Sequence, residues 1–318
     1  MREIIIEKND SGQRLDRFLN KYLPKATGSF LQKMIRTKKI KCNKKRAKEN
    51  QILMTGDRIQ IYLYEEILLP LEKEPQVRKS KIPLSIVYED EDIAVIDKAP
   101  GVLTHAATPR DYGKNIVDAF VDLLISRGTY KPQGEQSFRP ALANRLDYDT
   151  GGLLIGLKNH QSAMKINQAL TAGSIEKYYL CYCEGRIDDD LVIDASLEKT
   201  GKRMKVSAVG KKAITRVHPL YWGKDYTYAQ LMLETGRYHQ IRAHMASIGH
   251  PLIGDERYGR GRGSLGKTGT FRGQLLLSYA LFFKEIEDLP QLKDLWVESF
   301  QKKTFEEIRD RLNENRKG

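Results

Sequence analysis

Apolar positions recur at helical spacing near the N-terminus, where RLDRFLNKYL (residues 14–23) places Leu15, Phe18, Leu19, Tyr22 and Leu23 on one face. A second helix is expected after Ser29, whose hydroxyl forms a capping-box pattern with Gln32, and it turns Phe30, Leu31, Met34 and Ile35 inward. The period then drops to two: KIKCN and, after the Gly56-Asp57 turn, RIQIYL read as short strands. Residues 1–64 thus form one small unit. From Glu65 to Pro83 the chain mixes charge with Pro70, Pro75 and Pro83 and reads as a linker. A coil of that length spans on the order of 20 Å, enough for the small unit to swing independently.

A larger α+β unit is expected over residues 84–318. SIVYEDEDIAVIDKAPG reads as a strand pair, residues 115–126 as a helix, LLIGLK as a strand and HQSAMKINQAL as a helix. YTYAQLMLE (226–234) alternates strictly and stops at Thr235-Gly236. RYHQIRAHMASIG then carries Ile241, Met245 and Ile248 at helical spacing. The apolar run Leu275 to Phe283 is far shorter than the roughly 20 residues that span a bilayer, so it reads as a core strand. Thr304 and Glu307 form another capping-box pattern, predicting a closing helix with Phe305, Ile308 and Leu312 inward.

Charge sharpens the division. Residues 1–62 hold 16 Lys and Arg against 6 Asp and Glu, whereas the other 256 hold 38 against 35, so the net charge of +13 is concentrated in the small unit. Between Lys33 and Lys48 stand nine basic residues and no acid: Lys33, Arg36, Lys38, Lys39, Lys41, Lys44, Lys45, Arg46 and Lys48. That density suits a nucleic-acid partner. Cys42, Cys181 and Cys183 make no disulfide framework, and Cys181 and Cys183 share one strand face as packed thiols. With neither a membrane span nor an apolar leader at MREIIIEKND, a cytoplasmic protein is expected.

Three clusters are candidates for chemistry. Gly261, Gly266, Lys267 and Thr268 match phosphate-loop spacing, but DERYGR before them and GTFRGQ after them supply neither the strand nor the helix that a phosphate cradle needs. A loop touching RNA phosphates is the better reading. The six histidines, His105, His160, His218, His239, His244 and His250, are scattered; His239 and His244 are five apart and do not share a helical face, so no metal site is expected. The third cluster is ANRLDYDTGG (143–152). Asp147 is either a reactive carboxylate kept ionised by Arg145 or Arg242, with Gly151 and Gly152 letting a substrate backbone approach, or part of an ordinary polar turn. The residues alone leave both open.

The N-terminal stretches GQRLDRFL, FLQKMIRTKKIKCNKKR and TGDRIQIYL resemble the S-four, or αL-motif, RNA-binding domain. NRLDYDTGG, DKAPGVLTH, EKYYL and TGRYHQIRAH with GHPLIGDERYG resemble, in order and spacing, the RluA-type pseudouridine synthases over residues 84–290. That resemblance implies an α+β catalytic domain on a mixed, mainly antiparallel sheet flanked by helices. It implies isomerisation of uridine to pseudouridine without a cofactor, on large-subunit ribosomal RNA or alternatively transfer RNA, by a monomer. It places the catalytic aspartate at Asp147, a stacking tyrosine at Tyr179 and a salt-bridge arginine at Arg242. Arg145 would enter the space left by a flipped base, with Lys177 and Asn144 at the substrate. The carboxylate could act at C1′, at the 2′ proton or on the base.

The family's histidine before R-L-D is Asn144 here, its T-S-G is Thr150-Gly151-Gly152, its K-P-x-G is Lys98-Ala99-Pro100-Gly101, and T-G-R-T-H has become TGRYH with Tyr238. These departures bear on the shape of the groove. Two rival readings use the same residues: a glycoside hydrolase with Asp147 and Asp149 as its carboxyl pair, and a non-catalytic RNA-binding protein. The first leaves the basic unit idle, and the joint presence of Asp147, Tyr179 and Arg242 argues against the second.

Overall fold

The computed structural model describes residues 1–72, 78–132, 137–259 and 273–314. The small unit comprises strand β1 (Arg2–Ile5), helices α1 (Leu15–Tyr22) and α2 (Gly28–Arg36), strands β2 (Ile40–Cys42), β3 (Lys45–Arg46) and β4 (Arg58–Ile61), and helix α3 (Glu65–Leu68). Its sheet runs β1-β4-β2-β3 and closes on Leu15, Phe18, Leu19, Leu31 and Ile35. Helix α2 starts one residue before Ser29, because Thr27 is the cap and accepts from Phe30 N at 3.2 Å. The expected linker is anchored at both ends. Leu68 is buried in the small core, and Ser80 ties the far end to the larger unit, its amide N donating to Asp122 Oδ2 (3.0 Å) and its Oγ donating to Gly113 O (2.8 Å). The two units also touch directly, since Asp10 Oδ1 accepts from Ser137 N at 3.0 Å and Gln13 Nε2 donates to Ser137 Oγ at 2.8 Å. Free swinging of the small unit is therefore not the arrangement seen.

The larger unit continues with β5 (Ser85–Glu89), β6 (Ile93–Lys98), α4 (Ile116–Ser126), β7 (Ala141–Leu142), β8 (Gly151–Leu157), α5 (His160–Ala172) and β9 (Ile175–Glu184). Then come β10 (Leu191–Asp194), the hairpin β11 (Leu197–Thr200) and β12 (Arg203–Val206), β13 (Ile214–Trp222), β14 (Tyr226–Leu233) and α6 (Gln240–Ser247). The chain closes with β15 (Leu276–Phe283), β16 (Leu295–Glu298), α7 (Lys302–Glu306) and α8 (Ile308–Glu314). The main sheet runs β10-β13-β14-β9-β15-β8-β6-β5, with β16 on β15 and β7 on β8. All its pairings are antiparallel except β15 with β8, so the mixed, mainly antiparallel expectation holds. Among the described residues no helix is long and apolar enough to cross a membrane.

Three local expectations shift. Helix α6 begins only at Gln240, because His239 sits in the left-handed region at φ 48° and breaks the run; Ile248, past its end, is exposed. The closing helix is two short helices, α7 and α8, and Thr304 lies inside the first rather than capping it, although Phe305, Ile308 and Leu312 are all buried. Gly151 and Gly152 are not an open turn for a substrate backbone. They start the fully buried β8, alongside Leu277 and Ser278 of β15.

The reason for glycine is steric. Gly152 has φ 108°, and a Cβ there would lie 2.1 Å from Ser278 O. Gly152→Ala is therefore expected to combine a strained backbone, on the order of 1–3 kcal/mol, with a backbone clash. The expected result is a fall in Tm of several degrees with loss of activity, measured by thermal unfolding; a Tm equal to wild type would show that β15 yields at this point.

Candidate active site

The backbone around Asp147, between β7 and β8, is fixed by a set of local hydrogen bonds. Asp147 O accepts from Thr150 N at 3.2 Å, and Thr104 Oγ1 both donates to Leu146 O (2.7 Å) and accepts from Leu146 N (3.2 Å). Asn144, expected at the substrate, also braces the loop against β8: its Nδ2 donates to Leu153 O at 3.1 Å and its Oδ1 accepts from Ile155 N at 2.8 Å. Lys98 is wholly buried, and its ammonium donates to the carbonyls of Ala99 (3.1 Å), Val102 (2.8 Å) and Tyr148 (2.9 Å). Three protons meet three acceptors. Burial pushes this ammonium down to about 8, against the opposing charges of Asp149 and Asp147.

Helix α6 supplies the counter-charge. Arg242 Nη1 donates to Asp147 Oδ2 at 2.8 Å, while Nε and Nη2 grip Asp255 at 2.7 and 2.8 Å. Burial opposes the charge on Arg242, but its bonds to Asp255 and Asp147 outweigh that and raise its pKa. Asp255 shows the converse. Burial alone would push it up, yet Arg242 and the amides of Arg257 and Tyr258 hold it below the ordinary carboxylate range.

His239, read from the sequence as a structural histidine, is buried against the same carboxylate. Its Nε2 lies 3.5 Å from Asp147 Oδ2 and 3.3 Å from Arg242 Nη1, and its Nδ1 lies 3.1 Å from Tyr258 Oη. Burial pushes this imidazole down to about 4, so it is neutral at neutral pH. Arg242 and His239 both meet Oδ2. Asp147 Oδ1 has no hydrogen-bond partner among the described residues, and the side chain is 19% exposed. One oxygen is held and the other is open.

Strand β9 brings two more of the expected residues. Tyr179 is buried, and burial, with the Asp147 charge adding to it, pushes its phenol up to about 12, which keeps it protonated. Lys177, two residues earlier, points to the same face and is lowered by burial. Asp147 and Arg145 line two adjoining cavities. One, of about 560 Å³, includes Asn144, Lys177 and Tyr179; the other, of about 1010 Å³, includes Arg242, His105 and Asp149. A smaller cleft of about 60 Å³ is lined by Asp147, Tyr179 and Arg242 together.

In the small unit Lys33, Arg36, Lys38, Lys39, Lys44, Lys45 and Arg46 are exposed, and Lys41, half-buried, lies 4.9 Å over the Tyr62 ring. Lys38 and Lys44 occupy turn positions at φ 62° and 63°, where glycine or asparagine would be less strained. The phosphate-loop pattern at Gly261, Gly266, Lys267 and Thr268 lies outside the described residues.

A carboxylate clamped on one side and open on the other lies beside a protonated phenol and two large clefts, in a chain whose N-terminal domain is strongly basic, features suited to an RNA-modifying enzyme. The profile of the family described as RNA pseudouridylate synthase matches residues 92–247, and that of the S4 domain matches residues 13–59. The chain is 30% identical over 285 residues to an uncharacterized RNA pseudouridine synthase, YlyB, of Bacillus subtilis, covering 88% of this chain and 89% of that protein. It is 33% identical over 261 residues to ribosomal large subunit pseudouridine synthase D of Nitrosomonas europaea, covering 81% and 72%. In fold it is similar to human RNA pseudouridylate synthase domain containing 4, with TM-score 0.55 and 19% identity over 72% of this chain and 92% of that one. The chain belongs to the pseudouridine synthase family, and is an isomerase acting on uridine in RNA.

Proposed function

We propose that Asp147 is the reactive carboxylate of this isomerase, that it acts on a uridine turned out of its stack, and that the RNA is large-subunit ribosomal RNA. The open Oδ1 beside an Oδ2 held by Arg242 carries the reading: the clamp orients the carboxylate while one oxygen stays available. The bond from C1′ to N1 breaks and N1 takes up a proton, a bond from C1′ to C5 forms, and the C5 proton leaves to solvent, so no redox group or co-substrate enters. Turning out the nucleotide costs a few kcal/mol, which a base stacked on Tyr179 offsets by about 1–3 kcal/mol. Arg145 fills the vacated stack, and Lys177 supplies a positioning charge. Large-subunit RNA is favoured because relatives named for it match 81% and 80% of this chain.

The test uses RNA transcripts tritiated at uracil C5. Release of tritium to water from large-subunit RNA, and not from transfer RNA, is the expected result; release from transfer RNA alone would overturn the substrate, and release from neither would overturn the enzyme reading.

The basic face of the small domain gives a second expectation. Replacing Lys38, Lys44, Lys45 and Arg46 together by Gln should weaken RNA binding and flatten the salt dependence by about 0.7–0.9 in logarithmic slope for each phosphate contact removed. These four are exposed and pair with no carboxylate among the described residues, so the fold should survive. An unchanged slope would place the RNA elsewhere.

A further inference from the structure

Tyr238 stands out on the lip of this site. Its side chain is 39% exposed, and it lines both large cavities. One side of the ring stacks on His239, with centroids 3.7 Å apart and planes 24° from parallel. The Arg145 guanidinium stands over the ring at 5.8 Å, farther than the 3.5–4.0 Å or so of packed contact.

The turn that carries this ring is held by its neighbours: Arg237 N and Thr235 Oγ1 both donate to Gln240 Oε1, at 3.0 and 2.8 Å, and Gln240 Nε2 donates to Ile214 O at 2.9 Å. A part-exposed aromatic whose turn is held by other residues, backed by a neutral imidazole and approached by a guanidinium, has the makings of a nucleobase platform.

We infer that Tyr238 is a specificity-determining residue: it stacks on the base adjoining the target uridine, with Arg145 closing over that base, and so favours RNA with a purine at that position. This rests on the active-site reading above. A purine presents the larger aromatic face, so stacking strength rather than hydrogen bonding would set the preference.

The experiment measures tritium release from C5-tritiated large-subunit RNA by the full chain and by Tyr238→Phe, Tyr238→Leu and Tyr238→Ala. Phe keeps the stacking face and is expected to match wild type. Leu keeps bulk without a π-face, and with Ala it should raise KM roughly 5- to 150-fold, the range of one base-aromatic stack, with a much smaller change in kcat. If Leu or Ala matches wild type, or if the loss falls on kcat alone, the inference is overturned while the active-site reading stands. If Phe fails as badly as Ala, the hydroxyl rather than the ring is at work and stacking is overturned. Wild type releasing no tritium would instead overturn the active-site reading on which this depends.

Discussion

Asp147→Asn is expected to abolish pseudouridine formation, by at least about 10⁴-fold, while RNA affinity changes by less than about fivefold. Losing a reactive group typically costs that much in rate because no neighbour can replace it. The amide is close in shape, and its oxygen can still accept from Arg242 Nη1, now at 2.8 Å from Oδ2, so the loop should keep its form. Binding should persist because Asp147 contributes no positive charge to the phosphate contacts. The pair of measurements separates chemistry from recognition: tritium release under single-turnover conditions reads the first, and filter binding the second. Residual release within tenfold of wild type would show that another group starts the reaction, and equal losses in both would show that Asp147 shapes the RNA groove instead.

What the sequence disclosed and what it hid follow from the range of the interactions. Helices α1, α4 and α5 and strands β14 and β15 were legible because periodicity is local, and the described segments carry it plainly. Asp147, Tyr179 and Arg242 were legible as motif positions, though only the fold shows their shared cleft. The purpose of Gly152 was not legible, since the obstacle is Ser278 on a strand more than a hundred residues later. His239 looked ordinary for the same reason. Nothing beside it in sequence announces Asp147 or the left-handed φ that delays the start of α6 to Gln240. Asp255 offered a local clue: an acid followed two and three residues later by amides it can accept from, as Arg257 N and Tyr258 N do at 2.9 and 3.0 Å, is a recognisable turn signature. Its grip on Arg242 was not readable from that signature.

That grip makes Arg242 the residue whose loss should most affect stability. Arg242→Met preserves bulk but leaves Asp255, whose side chain is fully buried, without its cation; an uncompensated buried charge typically costs about 3–5 kcal/mol. The pH dependence has a definite sign. Asp255 is held below its unfolded value in the wild type, so its stabilising contribution is full above the unfolded carboxyl range near 4 and is lost as pH falls through the lower folded value. Without Arg242, burial raises the carboxyl instead, and a protonated Asp255 needs no cation. The urea midpoints of wild type and variant should therefore lie farther apart at pH 7 than at pH 5. Adding Asp255→Asn to Arg242→Met removes the orphan charge and should recover part of the midpoint, yet tritium release should stay low, because Asp147 Oδ2 still lacks its clamp. Recovery of both together would mean that Arg242 serves the fold alone, and recovery of neither would mean that Asp255 is not the charge it answers.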